Sequence, residues 1–142
     1  MRITYELSIT IDKPISDVLR IMFDYHQMCF YGAPKLDHHV NIKSKPPLEG
    51  AITELYYKHN EEMIIMKEVI LKNSLPNSIT REYTLGSVRN ECKDYFTEEN
   101  GITTWKMDVL FIFPENKPVD KEVFKKKTYA QMQAFKDYVE LI

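Results

Sequence analysis

At 142 residues, the chain is close to the prior of about 150 residues for one domain, and it is long enough to bury a core without disulfides or metals. Nineteen Lys and Arg against 21 Asp and Glu leave a net charge of −2, which excludes a sequence-independent grip on phosphate backbones, since that needs excess positive charge. Four Gly and seven Pro exclude a low-complexity chain, while nine Tyr and seven Phe are a large stock of ring surface for a chain of this size.

The opening segment alternates. Ile3, Tyr5, Leu7, Ile9 and Ile11 point one way and Arg2, Thr4, Glu6, Ser8 and Thr10 the other, which predicts a strand with one buried face. Asp12-Lys13-Pro14 ends it. Ile15, Val18, Leu19, Met22 and Phe23 then form the apolar stripe of a helix, with Ser16 as its expected N-cap and Asp17 in its first turn. A second short helical stretch is expected around residues 24–30, closed by Gly32-Ala33-Pro34.

Strands follow one another from residue 35. Leu36, His38, Val40 and Ile42 alternate, and Lys45-Pro46-Pro47-Leu48-Glu49-Gly50 makes a turn. Further strands are expected at 51–58, 63–72, 78–85, 88–97 and 102–113. Asn100-Gly101 between the last two is a hairpin signal, because Asn-Gly readily takes positive φ. Such short connections imply antiparallel pairing of neighbours. After Pro114-Glu115-Asn116-Lys117-Pro118 the period changes, and residues 119–142 read as one long helix. Phe124, Thr128, Gln131, Phe135, Tyr138 and Ile142 lie along one line of it, flanked by Met132 and Val139. The order is strand, two short helices, six strands and a long helix, an α+β arrangement of one antiparallel sheet with a helix laid against it.

That order resembles the START-related, Bet v 1-like superfamily, which includes polyketide cyclases, lipid-transfer domains and coenzyme Q-binding proteins. The resemblance runs from about residue 3 to 140 and rests on landmarks in sequence. These are Ile9-Thr10-Ile11 in the first strand, the entry Pro14-Ile15-Ser16-Asp17-Val18 into the first helix, Asp24 at its end, and Gly50 before the third strand. Leu75-Pro76 before the fifth strand, Gly101-Ile102-Thr103 opening the last and Phe135 to Glu140 closing the helix complete the set. A Trp commonly follows the second helix in relatives; Tyr31 stands nearby here. The resemblance implies a helix-grip fold: a curved seven-stranded sheet wrapped round the C-terminal helix, with a cavity between them that takes a hydrophobic small molecule. It implies one ligand-binding domain over residues 1–142.

Strand faces give the expected lining of such a cavity. In the last strand Trp105, Met107, Val109, Phe111 and Phe113 must be inward, since exposing them forfeits roughly 1.5–3 kcal/mol each. In the strand before it Arg89, Glu91, Lys93 and Tyr95 form the solvated face, so Val88, Asn90, Cys92, Asp94 and Phe96 turn in. Ile79, Tyr83 and Leu85 carry Arg81 inward, and Leu36, Val40 and Ile42 carry His38. The expected ligand-binding residues are Tyr83, Asn90, Cys92, Trp105, Met107, Phe111, Gln131 and Phe135, a mostly apolar set with a few polar groups. Buried Asp and Arg are tolerated when paired, so Arg81 and Asp94 are expected either to pair at the cavity wall or to reach water near strand ends.

Three readings of function are open. The favoured one is a binding module for a lipid-, polyketide- or quinone-like molecule. The second is a cyclase, dehydratase or hydrolase with Asp94, Arg81 or His38 as proton-transfer candidates. The third is a partner-binding protein resembling the chaperone-activator branch of the superfamily. His38 suits acid–base chemistry by its pKa, but a core histidine is the plainer expectation. Neighbouring His38 and His39 point to opposite faces of a strand, so no metal site is expected. Cys92 has no adjacent base, and no Gly-rich phosphate or dinucleotide motif is present, so no cofactor is expected. Met63-Ile64-Ile65-Met66 suits an adaptable ligand wall, though core filling is the plainer reading. Cys29 and Cys92 form no CxxC pair and read as reduced thiols. No apolar run approaches the roughly 20 residues that cross a bilayer, and Met1 to Glu6 lacks the apolar stretch of a secretory signal; a cytoplasmic location is expected. The sequence leaves the oligomeric state open, a homodimer included.

Overall fold

A computed structural model describes residues 1–115 and 118–142 of the chain. Its elements are β1 Arg2–Ile11, α1 Ile15–Met22, a short 3-10 helix Tyr25–Cys29, β2 His38–Lys43, β3 Ile52–His59, β4 Glu62–Ser74, β5 Ser78–Leu85, β6 Val88–Glu99, β7 Ile102–Ile112 and α2 Lys121–Leu141. All seven strands form one curved antiparallel sheet in the order β1-β7-β6-β5-β4-β3-β2. The expected strand order, the pair of short helices and the closing helix are all present. The turn expected over residues 114–118 lies partly outside the described residues.

The hairpins follow local backbone chemistry. Between β6 and β7, Asn100 (φ 54°) and Gly101 (φ 78°) both take the left-handed conformation, the pair of positive φ values that a two-residue hairpin turn with the right twist demands. The register that this turn sets aligns Cys92 with Val109 and Phe96 with Trp105. Inward residues of β6 therefore meet inward residues of β7.

α1 starts two residues earlier than a cap at Ser16 implies, and it is capped from elsewhere. Pro14 holds the N-cap position, whose side chain has no oxygen to offer. Glu98 of β6 instead accepts a hydrogen bond from the Ile15 amide at 2.6 Å. Ser16 lies inside the first turn rather than capping it. A carboxylate at a helix N-terminus satisfies an orphan N–H and suits the helix dipole. α2 is capped in the ordinary way, with Asp120 accepting from the Glu122 amide.

The core fills the concave side. Ile3, Ile9 and Ile11 of β1, Val18 and Ile21 of α1, Trp105 and Val109 of β7, and Met132, Phe135 and Val139 of α2 are buried together. The helix thus seats on the sheet through Met132, Phe135 and Val139, a line rotated from the one expected. Gln131 and Ile142 are exposed. Farther up the helix, Tyr5 of β1 bonds to the Phe124 carbonyl and the Thr128 hydroxyl, and Phe124, Thr128 and Gln131 line a gap between helix and sheet.

β2 also departs from expectation. Leu36 is buried, but His38, Val40 and Ile42 are exposed. Leu36 lies before the strand, tied to Met28 by its amide, so strand alternation does not carry through it. Within β2 the register decides the faces: His38 aligns with Tyr56 and His39 with the buried Leu55. His39 therefore faces inward and His38 outward. On β4, Met63 and Ile65 are likewise exposed while Met66 faces in; the run is half wall and half outer surface.

Candidate functional site

The inner face carries one connected polar group. Arg81 on β5 stands opposite Cys92, and Ile79 opposite Asp94, so Arg81 and Asp94 are diagonal neighbours on that face. Arg81 Nη2 donates to Asp94 Oδ2 at 2.9 Å. The other oxygen of Asp94 accepts from the Trp105 indole Nε1–H at 2.8 Å. Glu68 on β4 places Oε2 3.9 Å from Arg81 Nη1, and its Oε1 accepts from the Tyr25 hydroxyl at 2.5 Å. The three charged residues are buried, Asp94 completely. Phe23 and Tyr83 set their rings 5.4 and 5.9 Å from the guanidinium carbon, a favourable arrangement for a desolvated cation. Buried charges persist only with such partners. The group contains two carboxylates and one guanidinium.

Between this face and α2 lies a cavity of about 470 Å³, within the range of small-molecule sites. Its wall is chiefly aromatic and thioether surface, with Trp105, Phe111, Phe113, Phe124 and Phe135 on one side and Met28, Met66, Tyr57 and Tyr83 on the other. Ala33, Pro34, Leu85, Lys127 and Gln131 line it and are also exposed. The mouth therefore opens between the loop before β2, the β5–β6 hairpin and the middle of α2. A second, more open hollow is lined by Glu6, Glu91, Lys93 and Asp108, with Tyr5 as its one aromatic residue.

Three tyrosines line the cavity with hydroxyls that bond to nothing among the described residues: Tyr31, Tyr57 and Tyr83. None of the three oxygens is among the described buried atoms shut away without a partner, so each has accessible surface. Burial pushes all three above the ordinary tyrosine value, Tyr57 to about 12. They are neutral O–H groups at any physiological pH. Burial, then the nearby Asp94, pushes the Cys92 thiol up to about 12, which removes it as a nucleophile. Burial works against the charge of Arg81, yet the surrounding Tyr83, Asp94, Tyr25 and Glu68 outweigh it and hold the proton more firmly than usual.

Most of the expected site assembles. Arg81, Tyr83, Asn90, Cys92, Trp105, Met107, Phe111, Gln131 and Phe135 all line the cavity. Asp94 stands behind the wall, bonded to two of them. His38 does not belong to the site: it lies on the outer surface, stacked on Tyr56 at 4.3 Å and bonded to Asp37. It is removed as a proton-transfer candidate by the β2–β3 register. Among the described residues no group of three or more His, Cys, Asp or Glu is placed to hold a metal, and none of the helices there is long and apolar enough to cross a membrane.

Glu68, Tyr25, Tyr31 and Tyr57 are the additions that the structure makes. Tyr57 was legible, because Ile52, Glu54, Tyr56 and Lys58 form the charged face of β3 and Tyr57 falls on the other. Glu68 was legible only through Lys67: in a strand apolar on both faces, sending Lys67 to solvent sends Glu68 inward. Tyr25 opens the short 3-10 helix and Tyr31 follows it, and neither stretch is long enough for periodicity to signal a face.

No family model matches the sequence, and no curated protein matches it. Solved structures do. Ara h 8.0201 superposes with a TM-score of 0.79 over 98% of each chain at 13% identity. The Zhui aromatase/cyclase from Streptomyces sp. R1128 gives 0.77 at 11% identity, covering 99% of this chain and 94% of that one. A START superfamily protein from Mycobacterium smegmatis gives 0.77 at 10% identity over 97% of each chain. At such identities the likeness establishes architecture. The chain has the helix-grip fold of the Bet v 1-like and START proteins.

Proposed function

We propose that the chain, acting as one domain over residues 1–142, binds a hydrophobic, ring-containing small molecule in the cavity between the sheet and α2. The observation that carries this reading is an aromatic-lined space of about 470 Å³ that the protein's own side chains leave unfilled. A domain core is normally packed without voids of this size, and leaving one costs stability. The ligand-contacting residues on this reading are Tyr83, Asn90, Cys92, Trp105, Met107, Phe111, Gln131 and Phe135, joined by Tyr31 and Tyr57. Likeness to an aromatase/cyclase and to a START protein supports the same region as the working part of the fold.

Catalysis has less support. Asp94 and Glu68, the acids nearest the cavity, are occupied by Arg81, Trp105 and Tyr25 and do not line it. A proton-transfer group must reach the ligand, and Arg81 alone among the three charged residues touches the space. A partner-binding role has less support still. The exposed apolar side chains Val40, Ile42, Met63 and Ile65 share the outer face with Glu54, Lys58 and Lys67, which break the patch that a docking partner needs.

Native mass spectrometry of freshly purified protein tests the reading. The expected spectrum contains a species heavier than the chain by one small molecule, released on denaturation. A ligand-free spectrum, together with no uptake of added phenylnaphthylamine, overturns it.

A further inference from the structure

The polar groups of the cavity define a charge preference as well as a shape. Its deep wall holds one guanidinium, and that guanidinium already has two carboxylates, at 2.9 and 3.9 Å. A bound anion would be the third acid gathered round one buried cation, in surroundings where like charges repel strongly. Lys127, the other cation of the lining, is exposed at the mouth, where water weakens its pull. Against this, Tyr31, Tyr57 and Tyr83 line the space, their neutral hydroxyls bond to nothing among the described residues, and Asn90 and Gln131 add amide groups. Tyr83 stands next to Arg81, with its ring 5.9 Å from the guanidinium carbon. Donors of this kind satisfy a carbonyl or hydroxyl oxygen and leave it paired when the ligand is buried.

Resting on the binding reading above, we infer that the cavity selects neutral ring compounds bearing carbonyl or hydroxyl oxygens and rejects carboxylates built on the same skeleton. The oxygen-bearing edge lies against Tyr57 and Tyr83, and the rings lie against Trp105 and Phe135. The buried Arg81 does not serve as an anion site: it orients the wall, and its two acids set the sign of the field. Desolvating a ligand carboxylate without a free cation is costly, whereas a ketone arriving at two unpaired hydroxyls gains what a hydrocarbon cannot.

Three probes of one skeleton test the inference: acetylnaphthalene, ethylnaphthalene and naphthoate, substituted at the same ring position and titrated calorimetrically at neutral pH. The ketone is expected to bind roughly tenfold or more tightly than naphthoate, with the hydrocarbon between them. In the Tyr57→Phe, Tyr83→Phe double variant the advantage of the ketone over the hydrocarbon should shrink toward one. If that double variant does not fold, Tyr57→Phe alone should narrow the gap. Naphthoate binding as well as or better than the ketone overturns the charge preference and leaves the binding reading in place. An unchanged ketone advantage in the folded variant overturns the tyrosine assignment. Failure of all three probes to bind counts against the binding reading itself.

Discussion

Arg81 and Asp94 face each other diagonally across β5 and β6 and meet at 2.9 Å, with the second oxygen of Asp94 held by the Trp105 indole. One carboxylate thereby ties three strands together on the floor of the cavity. Breaking a buried pair from one side strands the remaining charge, at a cost of about 3–5 kcal/mol. Asp94→Ala is expected near the lower end of that range, since Glu68 still faces Arg81. Asp94→Asn keeps the acceptor for Trp105 but turns an N–H toward the guanidinium. Urea unfolding followed by Trp105 fluorescence measures both. Stability within about 1 kcal/mol of the parent for Asp94→Ala would mean that the pair carries little.

The cap of α1 comes from a distant strand. Removing the Glu98 carboxylate should leave the Ile15 amide unsatisfied and cost about 1 kcal/mol, the usual worth of an N-cap. Glu98→Gln retains an acceptor oxygen and should recover most of the loss. Thermal unfolding of the two variants gives the comparison, and equal behaviour of Glu98→Ala and the parent contradicts the capping role.

The two thiols should behave differently. Cys92 is buried with its thiol pushed up to about 12, while Cys29 is partly exposed. In the folded protein a disulfide-exchange reagent at mildly alkaline pH is expected to modify Cys29 and spare Cys92; in denaturant both react. Rapid modification of Cys92 in the folded chain would show that the cavity floor opens.

His39 supplies a pH signature. Burial, and then His26 with its ring centre 5.0 Å away, lowers its pKa from the ordinary 6.5, with Asp24 opposing and His38 adding to the shift. A histidine with a depressed folded value binds its proton more readily when unfolded. The stability it contributes is therefore complete above pH 6.5 and declines as pH falls through and below that value. His39→Gln should flatten this part of the stability profile relative to the parent. Superimposable slopes for the two proteins between neutral and mildly acid pH would contradict the assignment.

Much of this architecture is legible from side-chain alternation, and the failures fall where alternation does not define a face. β5, β6 and β7 each have one charged and one apolar face, so Arg81, Cys92, Asp94 and Trp105 fall inward by elimination. β2 is a short edge strand whose register is fixed by β3, and a parity carried over from Leu36, outside the strand, sends His38 to the wrong face. On α2 the apolar stripe is broad, and its pattern alone does not decide that Met132 and Val139 seat the helix while Gln131 stands at the mouth. The buried Glu68 escapes notice because β4 is apolar on both sides, and a lone acid in such a strand looks like surface.

The most direct test of the central claim uses the single tryptophan of the chain. Trp105 lines the cavity and gives one indole N–H resonance, so an NMR titration with phenylnaphthylamine reads occupancy at a known point. The expected result is a saturable shift of that resonance at one ligand per chain, accompanied by shifts of Tyr57, Tyr83 and Phe135 and by little change at Val40 or Ile65. Saturable binding that moves only residues of the outer face, with the indole resonance fixed, would contradict it.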